Sequence, residues 1–501
     1  LDRSQRRLLL GLIAAAALFA STYALHWPAM YSTADEASYV GTALTFARGH
    51  LRSDTAGVEL AFPVHSRAGH SVGRYPLGWP LLLAGVVRGG PAACFGLALA
   101  LHLAAAALMA RLLWVLGRDV GWAALLLFYP TAVLYSRTLM ANGPTMVLVL
   151  AGAVLYLAAR LDAGGGRAGP LLLAGLCLGL AGLMRPVAFG LVLAFALSAA
   201  WRMRARGARA ALRAGILLGA GAIPAVLLGA GYNLVAFGAL TRTGYHLAAH
   251  EHLFAFEYAW PKLVVYTGLL LLVYPGLAAA PFLDRGRLSV EARFALAWYL
   301  GVYGFYYYLE QGGGRIETTV KSLRFFLPVA PLLLASYANL WERLLAGPRA
   351  ERWRRALLAF AVVALAAGTF LLQRRHADFQ SELAVSRSAI YNASAEGDVI
   401  VSTMDGLKLL QNRWWGEREI LDLQDQQPVS QLVSRVDEAL DEGRGVYLVL
   451  LERKNLGVLW NRAVQARRAA LASVFRLDLL LEAERAGVFW RLRVERISPR
   501  N

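Results

Sequence analysis

An acidic pair, Asp35-Glu36, stands shortly after the first long apolar run of this chain, within Thr33-Ala34-Asp35-Glu36-Ala37-Ser38-Tyr39. Carboxylates at the edge of a bilayer are costly to desolvate, so their presence there points to a site that uses them. Three arginines, Arg74, Arg185 and Arg324, fall beside other apolar runs on what reads as the same face. Such a set suits the transfer of a phosphate-linked group to a hydroxyl or amine. A carboxylate takes the acceptor proton, and guanidiniums hold the departing phosphate through charge-assisted forks. The competing readings are a solvated acidic pair in a loop, and arginines that snorkel or pair with carboxylates.

The elements that would position these residues follow from composition. The 501 residues are 57% hydrophobic and 17% charged, with a mean hydropathy of +0.47, which excludes an ordinary soluble enzyme. Apolar runs long enough to cross a hydrocarbon core of about 30 Å recur about eleven times, near 8–25, 92–116, 119–136, 142–160, 168–184, 186–203, 210–234, 262–283, 291–309, 323–345 and 354–372. The fold expected is a polytopic α-helical membrane protein followed by a soluble α/β domain.

The net charge of +18 is distributed by topology. Arg3, Arg6 and Arg7 precede the first run; Arg111 and Arg118, Arg160 and Arg167, Arg202 to Arg213, Arg285 to Arg293, and Arg343 to Arg355 follow at alternate turns. Under the positive-inside rule these turns are cytoplasmic, with a cytoplasmic N-terminus and an external tail. The basic residues form no aromatic-interleaved patch, so nucleic acid is not an expected partner. Cys94 and Cys177, the two cysteines, both lie inside apolar runs and offer no disulfide framework or thiolate metal site. The first run has an Arg-rich front but is longer than the apolar core of a signal peptide, and reads as a retained anchor.

Two domains are expected: 1–375, membrane-embedded and including an external loop at 26–91, and 376–501, external. Within the loop, Ser38 to Leu51 has the apolar spacing of a helix lying on the membrane surface. In the tail, 398–402, 419–423 and 446–450 read as strands alternating with helices near 406–413, 430–442 and 454–471, and 474–484 with 487–496 as a hairpin. No glycine-rich phosphate fingerprint follows a strand, so no nucleotide site is assigned.

Other candidates are weaker. His250-Glu251-His252 invites a metal, but two histidines two apart converge only on a strand and no third ligand stands at a recognisable spacing, so surface histidines are the better reading. The cluster Tyr303 to Tyr308 reads as an interfacial aromatic belt before a sugar platform. Tyr39, Tyr75, Tyr245 and His246 lie in external loops suited to substrate or acceptor contact, and Glu310 and Glu317 could meet substrate hydroxyls or simply be solvated.

Four fragments, taken in order, carry a resemblance. Asp35-Glu36-Ala37-x-Tyr39 resembles the Asp-Glu motif of the GT-C superfamily of membrane glycosyltransferases, specifically the family-39-like group that includes protein O-mannosyltransferases and lipid A aminoarabinose transferases. Arg74-Tyr75-Pro76-Leu77-Gly78-Trp79-Pro80 is similar to that group's basic element before Pro-x-x-Trp-Pro. Asn233-x-x-x-Phe237-Gly238, leading to Gly244-Tyr245, resembles its loop, and Arg324-Phe325-Phe326-Leu327-Pro328-x-x-Pro331 its late span.

The resemblance implies Asp35 as catalytic base, Glu36 as a supporting substrate contact and Arg74 as a ligand of the donor phosphate, with a polyprenyl-phosphate-linked monosaccharide as donor. A lipid, glycan or protein is the acceptor, in a bacterial inner membrane. Two departures stand out: Arg74 replaces the commoner lysine, which changes donor geometry, and Arg137 to Asn142 lacks the second acidic residue of several relatives. A divalent metal is the only cofactor candidate, and that missing acid weighs against it. The rivals are a flippase of a lipid-linked sugar, which ought to show inverted repeats and midplane charges, and a transferase that joins a whole oligosaccharide.

Overall fold

The computed structural model describes residues 3–52, 63–65, 71–161, 166–247, 254–306, 320–403, 418–423, 428–453, 458–484 and 490–500. The chain divides into two compact units, Leu1–Trp27 with Pro76–Trp79 and Ala93–His376, and Pro28–Tyr75 with Pro80–Ala92 and Ala377–Asn501.

The first unit is a bundle of apolar helices. Among the described residues of the whole chain, six helices are long and apolar enough to cross a membrane: Gln5–Leu25, Val87–Val115, Pro186–Arg206, Ala208–Phe237, Phe256–Val273 and Arg352–Ala393. A seventh is reached if Val320–Phe326 and Ala330–Leu344, bent by 94° at their junction, form one span. Asn142–Ala158 and Ala168–Met184 are apolar but shorter. The chain is thus a multi-pass membrane protein, and the expected count of about eleven is met only in part.

Proline and burial account for the difference. The run 119–136 is a 3₁₀ turn, Val120–Trp122, and two short helices, Ala123–Leu127 and Pro130–Ser136. Tyr129 before Pro130 is extended (ψ 118°), as the pyrrolidine ring requires of its predecessor. Residues 123 to 129 and 131 to 136 are all buried, so this run is apolar because it fills the bundle. Likewise 262–283 stops at Val273, where Tyr274 is extended before Pro275 and Gly276 turns at φ +90°. The break at Arg185 is real: Arg185 is extended (φ −142°, ψ 111°) ahead of Pro186.

Small residues let the helices approach. A methyl group at Gly175 would lie 1.9 Å from the Leu218 carbonyl oxygen, and one at Gly221 2.0 Å from that of Leu172. A methyl at Gly179 would meet the Ala222 backbone at 2.9 Å. Ala168–Met184 and Ala208–Phe237 therefore touch through a small-x-x-x-small seam, the device that replaces the hydrophobic effect between helices in lipid. At one end of the bundle, Asp119 accepts from Gln5 at 3.1 Å and pairs with Arg354 at 2.6 Å, while Arg118 pairs with Glu342 at 3.3 Å. Elsewhere Arg202 bonds the Arg287 carbonyl and pairs with Glu291 at 3.1 Å. Turns that share the arginine-rich pattern thus meet in space.

In the second unit, β1 (Pro63–His65) pairs antiparallel with β2 (Ser71–Gly73), and a five-stranded sheet is built from β3 (Val399–Ser402), β4 (Glu419–Asp422), β5 (Val446–Arg453), β6 (Phe475–Glu484) and β7 (Trp490–Pro499). Its order is β4-β3-β5-β7-β6. β3 runs parallel to β4 and β5, while β7 is antiparallel to β5 and β6. Val399, Val401, Leu421, Leu448 and Leu450 form its core with Leu432, Val436 and Ala439 of the helix Val429–Asp441. The expected strands are found within a few residues, in a mixed sheet. The helix expected near 406–413 and the hairpin turn lie outside the described residues.

The seam predicts a graded response. Gly175→Val drives side-chain atoms into the Leu218 backbone and is expected to destabilise the detergent-solubilised protein by about 1–3 kcal/mol. Gly96→Ala, whose methyl group would meet nothing within 4 Å, leaves the thermal midpoint unchanged.

Candidate active site

The acidic pair is placed by a helix start. The helix Ala34–Ala47 begins four residues before the surface helix expected at Ser38, because Thr33 caps it: its Oγ1 accepts from the Glu36 amide at 3.3 Å. Glu36 reciprocates, completing a capping box. Its Oε2 accepts from the Ser32 and Thr33 amides, both at 2.9 Å, and from their hydroxyls at 2.9 and 3.0 Å. Glu36 is wholly buried, so the carboxylate expected to touch substrate is gathered into the backbone that precedes the helix.

Asp35, its neighbour, is partly exposed in the first helical turn, where the helix dipole favours negative charge. The Tyr75 hydroxyl donates to Asp35 Oδ1 at 2.7 Å. The Tyr75 ring in turn packs on Tyr39, one turn further along the helix, with centroids 4.7 Å apart. β2 brings this about. A methyl at Gly73 would fall 2.2 Å from Thr42 Oγ1, so only glycine lets the strand lie against the helix and deliver Arg74 and Tyr75. Arg74 is partly buried, and its Nε is buried without a hydrogen-bond partner among the described residues. Four expected residues, Asp35, Tyr39, Arg74 and Tyr75, are therefore brought to one end of one helix.

The other two arginines converge within the first unit. Arg185 and Arg324 place their guanidinium carbons 5.5 and 5.0 Å from the centroid of the Phe325 ring, which stacks on Tyr303 at 4.4 Å. The Arg324 carbonyl accepts from Asn142 Nδ2, and Thr131 Oγ1 donates to the Val320 carbonyl at 3.1 Å, so this corner is held from two sides. Tyr303 and Tyr306 pack among aromatic rings here.

Tyr245 is partly buried in the short helix Gly244–Leu247, which also contains the backbone of His246. The His246 side chain, and residues His250, Glu251, His252, Glu310 and Glu317, lie outside the described residues. No three His, Cys, Asp or Glu side chains converge among the described residues.

Sequence reasoning passed over three features. The Thr33-x-x-Glu36 box was readable and gives the helix start. Arg137, wholly buried, donates to the His26 carbonyl and lies over the Tyr23 ring at 5.1 Å; nothing in its spacing signals burial. Tyr31, also wholly buried, precedes the capping segment within electrostatic reach of Tyr391, Arg387 and Glu36.

No family model matches the chain, and no curated protein does. Solved structures do. ArnT from Cupriavidus metallidurans bound to undecaprenyl phosphate superposes with a TM-score of 0.59 at 12% identity, over 97% of each chain. The apo form of that protein gives 0.54 at 13%, over 96% of this chain and 97% of its own. The Archaeoglobus fulgidus oligosaccharyltransferase tethered to an acceptor peptide gives 0.51 at 12%, over 99% of this chain and 74% of its own.

Burial pushes the Tyr31 hydroxyl well above the ordinary tyrosine range near pH 10, chiefly by desolvating the phenolate. The native state thus holds this proton where the unfolded chain releases it. The stability contribution is complete below about pH 10 and is lost as pH rises beyond it. Tyr31→Phe is expected to flatten the alkaline decline of the thermal midpoint, measured by unfolding scans from pH 8 upward.

The near full-length superposition leads to one structural conclusion: the chain has an ArnT-like fold.

Proposed function

We propose that this protein is an inverting glycosyltransferase that moves a monosaccharide from a polyprenyl-phosphate carrier to a lipid, glycan or protein acceptor at the external face of a bacterial inner membrane. The observation that carries the reading is the Tyr75–Asp35 hydrogen bond at 2.7 Å, beside Arg74, whose buried Nε has no hydrogen-bond partner among the described residues, in a chain with an ArnT-like fold. One Asp35 oxygen is held by Tyr75 and the other takes the acceptor proton as the acceptor oxygen attacks the anomeric carbon. The carbon–phosphate-oxygen bond breaks on the opposite face, so configuration inverts. The phosphate leaves with its charge met by Arg74, with Arg324 and Arg185 as the further cations. Tyr39, Tyr75, Tyr245, His246 and Glu310 are assigned to substrate and acceptor contact, and Glu36 to holding the loop.

The structure of ArnT with undecaprenyl phosphate supports a polyprenyl-phosphate donor. The topology proposed counts the shorter and bent segments as crossings, with the N-terminus cytoplasmic and 376–501 external; the meeting of arginine-rich turns supports it. The likeness to the oligosaccharyltransferase favours a second reading, in which a whole oligosaccharide is transferred; donors carrying one sugar separate the two.

In a screen of undecaprenyl-phosphate-linked sugars against a membrane lipid and glycan extract, Asp35→Asn is expected to lower kcat by about 10³-fold with folding and undecaprenyl-phosphate binding retained. Equal transfer by both proteins would remove Asp35 from the chemistry. Transport of donor across liposomes without transfer would establish a flippase.

The arginine gives a separate test. Arg74→Gln is expected to lower kcat/KM about 100-fold, and Arg74→Lys less, because lysine keeps the charge but not the fork. An unchanged rate in Arg74→Gln would move phosphate binding elsewhere.

A further inference from the structure

The backbone leading into Asp35 is held at both ends, and only one end belongs to its own helix. Glu36 gathers the Ser32 and Thr33 donors from within. The other hold comes from far along the chain. Gln380 Nε2 donates to the Met30 carbonyl at 2.7 Å, across 350 positions, and Gln380, Met30 and Tyr31 are all wholly buried.

Gln380 belongs to the helix Pro348–Ala393, and Arg387 and Tyr391 follow it at spacings of seven and four, which puts all three on one helical face. Tyr31 is within electrostatic reach of both. One helix face therefore closes on Met30 and Tyr31, five and four residues upstream of the base. The same helix is fixed beyond Tyr391: Arg418 stacks on the Tyr391 ring at 4.0 Å and bonds the Ser394 hydroxyl and carbonyl at 2.8 and 2.7 Å.

We propose that Gln380 is a positioning residue for Asp35, its amide fixing the Met30 carbonyl so that the capping segment starts the helix in one register and presents the carboxylate at one place. The proposal rests on the reading of Asp35 as the base. It deepens that reading by assigning part of the active site's geometry to a residue that touches no substrate. A carbonyl buried beside an apolar side chain would be left unsatisfied and would seek another donor. The segment would shift, and displacements of about 1 Å at a reacting group are sufficient to slow chemistry while leaving ground-state binding intact.

The test compares Gln380→Met, near in length but without a donor, Gln380→Glu and Asp35→Asn in the full chain in nanodiscs. Hydrogen exchange over residues 30–38 needs no substrate and decides first. It is expected to quicken about tenfold in Gln380→Met while the membrane helices keep wild-type protection. Wild-type exchange in that segment would overturn the proposal.

With the labelled undecaprenyl-phosphate sugar that the wild-type protein accepts, kcat is expected to fall about tenfold with KM for that donor unchanged. A matched loss of thermal midpoint and of every kinetic parameter would instead mark Gln380 as part of the fold alone. Gln380→Glu supplies the conservative rescue. Its carboxyl donates to the Met30 carbonyl only when protonated, so its kcat relative to wild type is expected to rise as pH falls; a flat ratio counts against the proposal. Asp35→Asn separates the two layers. If it turns over as wild type does, the base assignment fails; if it is inactive while Gln380→Met exchanges and turns over normally, the positioning proposal alone fails.

Discussion

One buried carboxylate organises the candidate site, and it is not the one that faces solvent. Glu36 accepts four hydrogen bonds from two consecutive residues, and by doing so converts an extended segment into a helix start. Charge-assisted bonds of this kind are roughly twice as strong as neutral ones, and the group is shielded from water. Asp35 takes its place from this arrangement. It is the residue before the anchor, carried into the first turn with its side chain turned to Tyr75.

The remaining features of that unit serve the same end by different means. Gly73 has no side chain, and so β2 lies against Thr42 and sets Arg74 and Tyr75 beside the helix. The first unit solves a similar problem with Gly175, Gly179 and Gly221, where the absence of side chains brings two membrane helices into backbone contact. In both cases the separation of two elements is fixed by steric contact, which is less yielding than a polar surface pair.

How much of this was legible in the sequence depended on whether a feature is local. Asp35, Arg74, Tyr39 and Tyr75 are singled out as candidates by type and order, and the tail strands by alternating apolar runs. The Thr33-x-x-Glu36 box was equally local, and reading it would have moved the helix start from Ser38 to Ala34. Apolar length misled at 119–136, because a segment buried among other helices is as hydrophobic as one facing lipid; Pro130 was the sign that it is broken. Gln380 and Arg137 gave no signal at all. Each acts through a backbone carbonyl of a remote residue, and a carbonyl carries no sequence identity.

The three arginines singled out by type alone differ physically once their surroundings are compared. Arg185 and Arg324 both lie over the Phe325 ring, where the aromatic face and their other contacts already offset part of the charge. Arg74 has a buried Nε with no hydrogen-bond partner among the described residues, and a buried guanidinium nitrogen left so is costly unless an acceptor arrives. Arg185 and Arg324 also carry buried guanidinium nitrogens, Nη1 and Nε, so the proposed phosphate-binding set keeps all three arginines. A rigid fork can keep one nitrogen aimed at an anion while its planar neighbours pack, and an ammonium on a flexible stem cannot.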